Sequence, residues 1–218
     1  MTKYGYSTMG VVFALCFILI LAGIWAENPI LKYSLFVFTG LLTIFTLNFF
    51  RDPERNTPSA KDVIVSPADG KVIIIKEIEE PNFIKGKATQ ISVFMSPLNV
   101  HVNRIPVDGS VNYVKYHKGQ YIAAFEDKAS EVNERSEIAL DSKLGKVLFT
   151  QVAGFVARRI VYDLKAGDQV IMGKRFGMIK FGSRVDVWVG EGFSTQVKVG
   201  DIVKAGETVL YKAEKPAQ

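Results

Sequence analysis

The dipeptide Gly182-Ser183 combines residue types that can cleave their own peptide bond. Glycine lets the backbone bend until the serine hydroxyl reaches the preceding carbonyl carbon, and a base must then remove the hydroxyl proton. His101 could be that base, because histidine takes up protons near neutral pH, and Asp69 could orient it. These residue types would therefore permit self-cleavage between Gly182 and Ser183, with His101 as the base and Asp69 as the group that orients it.

Ser183, His101 and Asp69 also match the side-chain types of a serine hydrolase triad. Against that interpretation, Ser183 is followed by Arg-Val, so the Gly-x-Ser-x-Gly pattern of the α/β-hydrolases is missing. Considered alone, a Gly-Ser pair is most often a turn, and Asp69-Gly70 is a common hairpin signal. Residue types by themselves therefore leave a hydrolase open as an alternative.

Three segments of the sequence resemble the phosphatidylserine decarboxylase family. They are residues 66–70 (Ser-Pro-Ala-Asp-Gly), 99–104 (Asn-Val-His-Val-Asn-Arg) and 175–186, which contains Phe-Gly-Ser-Arg. The resemblance extends from about Arg51 to the C-terminus. It is closest to the short prokaryotic members, since Arg184 follows the serine where longer bacterial members usually have threonine.

This resemblance implies a pyruvoyl-dependent decarboxylase that matures by self-cleavage. Ser183 would become the pyruvoyl group, and the fragments 1–182 and 183–218 would remain associated. The mature enzyme would convert phosphatidylserine to phosphatidylethanolamine and CO2 through a Schiff base with that group. The resemblance assigns catalytic roles to Ser183, His101 and Asp69, and it implies no metal and no added cofactor.

Arg104 stands where many longer family members have a second histidine, three positions after the first. The proton transfer normally given to that histidine is therefore open in this chain, and we expect Arg104 to hold the substrate carboxylate instead. Glu134-Arg135 and Arg158-Arg159 also resemble family segments. For these four residues we predict no role beyond contacts with phosphate or carboxylate groups.

The apolar residues are concentrated at the N-terminus. Residues 9–26 carry no charge, and residues 30–50 carry only Lys32. Each run is long enough to cross a bilayer as a helix, which takes about 20 residues. Residues 1–50 are therefore predicted to form a membrane anchor of two helices, at about 9–26 and 30–50. The alternative is a cleaved signal peptide or a single span, although the second run would itself remain as an anchor.

Basic residues predict the orientation of this anchor. The N-terminal amine, Lys3, Arg51 and Arg55 flank its outer ends, whereas only Lys32 lies near the connecting turn. By the positive-inside rule, both ends face the cytoplasm. We therefore expect a cell-membrane protein whose catalytic domain, residues 62–218, lies on the cytoplasmic side. Residues 51–61, with two prolines and several charges, read as the linker.

The sequence after the linker predicts a mainly β domain with hammerhead or sandwich-like hairpins and little helix. Runs of β-branched residues predict strands at 63–65, 71–76, 89–95, 110–116, 146–152, 156–163 and 184–189. A helix is predicted only at 119–130. The pattern Lys-x-Gly-Asp-x-Val-x-x-Gly occurs at 165–173 and again at 198–206, and it resembles the hairpins of biotinyl and lipoyl carrier domains. Because their modifiable lysine triplets are missing, we interpret this repeat as scaffold.

Charge and cysteine content limit the possible partners. The formal net charge of +5 favours attraction to anionic phospholipid headgroups, whereas no recognisable nucleic-acid-binding motif occurs. We therefore expect the membrane and an anionic phospholipid substrate as partners, and no nucleic acid. The single cysteine, Cys16, excludes a disulfide framework and a cysteine-ligated zinc site within one chain. A membrane-tethered serine hydrolase and a nonenzymatic β-sandwich adaptor are the alternative functions.

Overall fold

In a computed structural model, the chain divides into two compact units, Met1–Pro53 and Glu54–Gln218. The structure describes residues 1–126, 128–154, 159–180 and 183–214. The first unit consists of two apolar helices, and the second is built mainly of β-strands. The predicted fold class, a mainly β domain preceded by two apolar N-terminal helices, is therefore confirmed.

The first unit is a helical hairpin of α1 (Tyr6–Trp25) and α2 (Pro29–Phe49), preceded by a 3-10 turn at Lys3–Gly5. Asn28 caps α2, because its side-chain oxygen accepts a hydrogen bond from the Ile30 N–H at 2.9 Å. The two helices contact each other where Gly23 lies against the ring of Phe36, which leaves no room for a larger side chain. Both helices are long and apolar enough to cross a membrane.

The second unit contains, in its described residues, one short helix, α3 (Ala129–Val132), and a series of strands. The strands are β1 (Val63–Val65), β2 (Gly70–Glu80), β3 (Gly86–Met95), β4 (Val102–Arg104), β5 (Gly109–His117), β6 (Arg135–Ser142), β7 (Gly145–Ala153), β8 (Arg159–Tyr162), β9 (Gln169–Val170), β10 (Arg175–Lys180), β11 (Ser183–Val189), β12 (Phe193–Thr195), β13 (Ile202–Val203) and β14 (Val209–Ala213).

These strands pair into a large curled sheet and two small ones. The large sheet has the order β13-β2-β3-β11-β7-β6-β5-β9, and the small sheets have the orders β4-β10-β8 and β1-β14-β12. Strand β11 lies near the centre of the large sheet, between β3 and β7, and all seven of its residues are buried. Its alternate residues Val185, Val187 and Val189 belong to the main apolar core. A central, fully buried strand therefore begins at Ser183.

The predicted repeat forms two equivalent turns. In the first copy, a carboxylate oxygen of Asp168 accepts a hydrogen bond from the Lys165 N–H at 2.8 Å. In the second copy, Asp201 accepts from the Lys198 N–H at 2.9 Å. The same side-chain chemistry therefore closes both Gly-Asp turns, which agrees with the scaffold interpretation.

The last glycine of each copy donates a backbone hydrogen bond to another part of the chain. Gly173 and Gly206 have positive φ angles of 79° and 74°, which glycine adopts without strain. Gly173 donates its N–H to the Ile105 carbonyl at 2.9 Å, and Gly206 donates to the Ser66 carbonyl at 2.8 Å. The repeat thus supports the two segments that contain the predicted histidine and aspartate.

The helix predicted at 119–130 is wrong over most of its length, since Ala129–Val132 is the only helical segment among the residues described there. Backbone hydrogen bonds instead tie Gln120 to residues 132 and 134, at 2.7 and 3.0 Å. Gly119 lies so close to this backbone that an added Cβ would be 2.4 Å from the Asn133 carbonyl carbon. Tertiary contacts with the chain that follows therefore replace the helical hydrogen bonds.

Other differences concern strands. The runs of β-branched residues did not predict β4, β6, β12 or β14. In β6, the charged residues Glu137 and Asp141 flank the buried segment 138–140. Part of the strand predicted at 156–163 is present as β8, while residues 156–158 lie outside the described part of the chain. The remaining predicted strands all overlap with observed ones.

Candidate active site

Ser183 is the first residue of β11 and is fully buried. It lies opposite Met95 on β3 and Ala153 on β7. Its hydroxyl donates to the thioether sulfur of Met95, with 3.3 Å between Oγ and Sδ. The hydroxyl therefore lies in the protein interior, where a protein base rather than bulk water has to accept its proton.

The chain reaches Ser183 from a different sheet. Strand β10 ends at Lys180 in the small sheet with β4 and β8, and β11 begins at Ser183 in the large sheet. The predicted cleavage site thus falls where the chain crosses from one sheet to the other. Gly182 itself lies outside the described residues.

His101 is fully buried and directly precedes β4, which pairs with β10. Its backbone carbonyl accepts a hydrogen bond from the Ile179 N–H at 3.4 Å. The histidine segment therefore runs beside the strand that leads to the cleavage site. Four residues after Ile179, the chain has reached Ser183.

The His101 ring is oriented by a backbone carbonyl. Its Nδ1 atom lies 2.9 Å from the carbonyl oxygen of Asn99. Because a carbonyl oxygen only accepts hydrogen bonds, we assign the proton of the neutral ring to Nδ1. The lone pair is then on Nε2, which is the atom able to act as a base.

Asp69 is buried, and its carboxylate is anchored at both oxygens. Oδ1 accepts a hydrogen bond from the Ala205 N–H at 2.8 Å, and Oδ2 accepts from the guanidinium of Arg55 at 2.7 Å. The segment before Asp69 contacts the histidine segment, because the Pro67 carbonyl accepts from the Arg104 N–H at 2.9 Å. The structure thus brings the two motifs together, and a direct role of Asp69 on His101 stays a prediction.

Arg104 is buried against the two repeat turns. Its guanidinium donates to the Gly173 carbonyl at 2.8 Å, and an added Cβ on Gly206 would lie 2.9 Å from its Cδ atom. These contacts give Arg104 a structural role in holding the turns together. A contact between Arg104 and a substrate carboxylate remains a prediction.

A buried chain of polar side chains connects the three motifs, and the sequence patterns did not reveal it. Asn103 donates to the Pro67 carbonyl at 3.3 Å and to the Met95 sulfur at 3.8 Å. Its own side-chain oxygen accepts from Gln151 at 2.9 Å, and Gln151 accepts from Ser136 at 2.8 Å. Asn103 therefore links the aspartate segment to the sulfur that contacts Ser183.

All members of this network, Asn103, Gln151, Ser136 and Met95, are fully buried. Buried amides are costly unless they are hydrogen-bonded, so their presence beside Ser183 indicates a positioning role. The one signal in the sequence is Gln151. It is a polar residue on the inward face of its strand, where the residues two positions before and after it are apolar. Its partners could not be named, because they come from distant parts of the chain.

On the other face of β11, Arg184 and Asp186 form a fully buried ion pair. The Arg184 Nε atom lies 2.8 Å from Oδ1 of Asp186. Ser130 donates to the second Asp186 oxygen at 2.5 Å, and it also contacts the Arg184 guanidinium. Arg184, the residue that follows Ser183, is thereby fixed to the segment around α3.

Glu134 lies beside the site and is surrounded by tyrosines. Its backbone carbonyl accepts from the Ala153 N–H at 2.9 Å, and Ala153 pairs with Ser183. Its carboxylate accepts a hydrogen bond from Tyr121. Partial burial, followed by a hydrogen bond to Glu134 and its negative charge, raises the pKa of Tyr116 to about 12.

Two cationic residues lie on the approach to the cleavage site. Lys180 is buried on β10, and Arg159 occupies the position opposite it on β8. Burial lowers the pKa of Lys180, and the charge of Arg159 lowers it further. Arg159 and Glu134 line a surface cavity of about 480 Å³. Of the other two charged residues that resemble family segments, Arg135 donates a hydrogen bond to the Glu131 carbonyl, and Arg158 lies outside the described residues.

Within the described residues, no three His, Cys, Asp or Glu side chains are arranged so that they could bind a metal ion.

Comparisons with known proteins agree with the sequence motifs. A family model described as "Phosphatidylserine decarboxylase" matches residues 42–211. The chain is 47% identical over 215 residues to "Phosphatidylserine decarboxylase proenzyme" of Chlorobium limicola, covering 97% of this chain and 99% of that protein. It is 45% identical to the protein of the same name from Chlorobaculum tepidum, with 95% of each chain covered. The one from Salinibacter ruber is 50% identical over 79% of this chain and 77% of its own length.

Proposed function

Because the chain belongs to the phosphatidylserine decarboxylase family, we propose that it is a proenzyme that cleaves itself between Gly182 and Ser183 and then decarboxylates phosphatidylserine. The decarboxylase assignment is supported by family membership and by the names of the relatives. The word "proenzyme" in those names agrees with processing. The site of cleavage and its mechanism are our proposal.

The observation that carries the cleavage proposal is the orientation of His101. With Nδ1 bonded to the Asn99 carbonyl, Nε2 is the basic atom of a buried ring directly before β4, the strand that pairs with β10. In the proposed first step, Nε2 takes the proton from the Ser183 hydroxyl. The oxygen then attacks the Gly182 carbonyl carbon. The C–N bond breaks as His101 returns the proton to the leaving nitrogen of residue 183, so the amide becomes an ester and that nitrogen a free amine.

The second step breaks the ester. Loss of the Cα proton of residue 183 expels the carboxylate of Gly182, which leaves a dehydroalanine at the start of the short fragment. Water then replaces its nitrogen, which departs as ammonia, and a ketone remains. The products are fragments 1–182 and 183–218. We propose that they stay associated, because β11 pairs along its whole length with β3 and β7.

The surroundings of residue 183 fit a pyruvoyl group. The residue is fully buried beside the Met95 thioether, so a ketone there is shielded from bulk water. When formed, the group supplies an electron sink for the loss of CO2 from an amine substrate. The protein then has to bind the headgroup, orient its carboxylate and return a proton. His101 is the proposed proton donor in this step, and no metal is invoked.

The substrate headgroup has to meet charged groups near residue 183. Arg159 lines the cavity that also contains Glu134, and Lys180 lies across from it on β10. We propose that the phosphate of the anionic lipid contacts these cations, and that Arg104 is the carboxylate ligand to be tested.

We further propose that α1 and α2 form a membrane-spanning hairpin, with residues 62–218 on the cytoplasmic side. The length and hydropathy of both helices support this placement. Lys3 and Arg51 at the outer ends support the orientation. Residues 51–61 would then connect the anchor to a domain that works on lipids in the same membrane.

Electrophoresis combined with a lipid assay tests this function. The purified full-length chain should separate under denaturing conditions into two fragments, and it should convert phosphatidylserine in detergent micelles to phosphatidylethanolamine and CO2. Ser183→Ala should remain one chain and be inactive, while His101→Ala should remain mostly uncut. An active wild-type chain that stays intact would instead support the hydrolase or another mechanism. An intact chain without activity would leave the nonenzymatic β-sandwich adaptor as the remaining alternative.

A further inference from the structure

A loop on the outer face of β11 presents a large apolar side chain to solvent. Phe125 is 62% exposed, although its neighbour Ala124 is buried. Its ring makes an edge contact with Phe94, with 6.1 Å between the ring centroids. Phe94 is on β3 and lies opposite Arg184, so Phe125 packs on the strand next to the one that begins at Ser183.

The exposure of Phe125 is fixed by the buried ion pair. The Arg184 guanidinium donates to the carbonyls on both sides of Phe125, at 3.4 Å to Ala124 and 2.9 Å to Glu126. Burying a guanidinium is unfavourable unless it is paired and fully hydrogen-bonded. Here Asp186 and these carbonyls satisfy it, and the result is a rigid loop that holds a phenylalanine outward.

A second apolar side chain is exposed on the neighbouring turn. Leu98 is 68% exposed at the tip of the turn between β3 and His101. The turn is closed by a hydrogen bond from the Ser96 N–H to the Asn99 side chain at 2.8 Å, so Leu98 is also held in place. Leu98 and Phe125, with Phe94 beneath, form what we call the apolar rim.

We propose that the apolar rim enters the interfacial region of a lipid bilayer and so brings the lipid headgroup to residue 183. This proposal rests on the proposed function, because a diacyl substrate keeps its acyl chains in the bilayer while its headgroup reaches a buried residue. Both rim loops adjoin that residue: one follows Met95, which pairs with Ser183, and the other is held by Arg184. Exposed aromatic and aliphatic side chains on rigid loops partition favourably into the interface.

Fluorescence at single cysteines tests this contact without relying on enzyme activity. The only native cysteine is Cys16, so a Cys16→Ser, Ser183→Ala chain provides an uncut background without thiols. Phe125→Cys and Leu98→Cys place a dye on the rim. Ile171→Cys and Val199→Cys are matched controls, because these apolar residues are 61% and 59% exposed but lie on the repeat turns.

Each full-length variant is labelled with an environment-sensitive dye and reconstituted into vesicles of phosphatidylcholine and phosphatidylglycerol, with and without nitroxide-labelled acyl chains. The rim positions should give blue-shifted emission and at least several-fold stronger quenching than the control positions. Equal quenching at all four positions would overturn the proposal. So would rim emission that depends on protein concentration and not on the nitroxide lipid, which would indicate a second copy of the chain as the partner.

Activity then separates this inference from the proposed function. Phe125→Ser in the otherwise native chain should be cleaved as completely as wild type. It should lose activity at least several-fold on phosphatidylserine vesicles but keep wild-type activity on a dispersed short-chain phosphatidylserine. Equal losses on both substrates would overturn the rim proposal while leaving the decarboxylase intact. Absence of decarboxylation in wild type would refute the proposed function, whatever the quenching result.

Discussion

Breaking the buried ion pair between Arg184 and Asp186 should strongly lower the thermal stability of the domain. Both side chains have no solvent exposure, and Nε lies 2.8 Å from Oδ1. Asp186→Asn keeps the shape but leaves the guanidinium without its counter-charge. Breaking a buried pair in this way costs about 3–5 kcal/mol. For a chain of this size, about 2–4 °C of melting temperature is lost per kcal/mol, so we expect a decrease of roughly 6–20 °C.

Thermal unfolding in detergent, followed by intrinsic fluorescence, measures this effect. All variants are made in Ser183→Ala, so that each is a single uncut chain. The matched control is the surface pair between Arg175 and Glu54, which is also 2.8 Å long, but in which Glu54 is 88% exposed. Glu54→Gln should lower the melting temperature far less than Asp186→Asn does, because solvent screens the charge of an exposed carboxylate.

A double variant shows whether the cost comes from an unpaired charge. Arg184→Met with Asp186→Leu removes both charges and fills similar space, so it should recover much of the stability lost in Asp186→Asn. The reasoning is refuted if Asp186→Asn lowers the melting temperature no more than Glu54→Gln does. It is also refuted if the double variant is as unstable as the single one while the chain remains folded.

Three further predictions concern the site and its supports. Asn103→Leu leaves Gln151 without its acceptor, which should cost about 1–3 kcal/mol of stability. Because the network is proposed to position Ser183, cleavage should also slow in a pulse-labelling assay, by roughly 5–150-fold when the same free energy is lost from the transition state. An unchanged cleavage rate would exclude the network from positioning. Gly206→Ala adds a Cβ at positive φ, 2.9 Å from Arg104, and should lower the free energy of unfolding by about 1–3 kcal/mol in denaturant titrations. Burial of Glu80 opposes its ionisation, but backbone N–H donors outweigh this and lower its pKa. The ionised Glu80 therefore stabilises the fold fully above the usual pKa of about 4.3, and this stabilisation is lost as the pH falls through the lowered pKa. Glu80→Gln should flatten the acid side of a plot of unfolding free energy against pH. An unchanged plot would contradict this.

Much of the architecture follows from local patterns in the sequence. The Gly-Asp turns of the repeat depend on hydrogen bonds within three residues, so their geometry could be predicted from the residues alone. The two N-terminal helices also follow from the hydropathy pattern, and seven of the fourteen strands in the described residues follow from runs of β-branched residues. Residues 119–130 could not be assigned correctly, because Gly119 and Gln120 pack against residues 132–134 and lose their helical partners.

The site could be predicted only in part for the same reason. Ser183 and His101 lie in short motifs. The structure places His101 beside β10 and Ser183 at the start of β11, the strand that follows β10 in the chain. The contacts that orient them come from residues distant in sequence. Gln151 reaches Asn103 across 48 positions, and Ser183 reaches Met95 across 88. Such contacts depend on strand register, which no local pattern specifies.

Family membership supports a decarboxylase, and the mechanism proposed for it depends on the conversion of Ser183 to a pyruvoyl group. The most direct measurement is the intact mass of the short fragment from freshly purified, full-length protein. We predict a fragment 183–218 that is lighter by one ammonia than the unmodified peptide and that has no free amino terminus. A fragment of unmodified mass with a free serine amine, in an enzyme that still decarboxylates phosphatidylserine, would contradict the account.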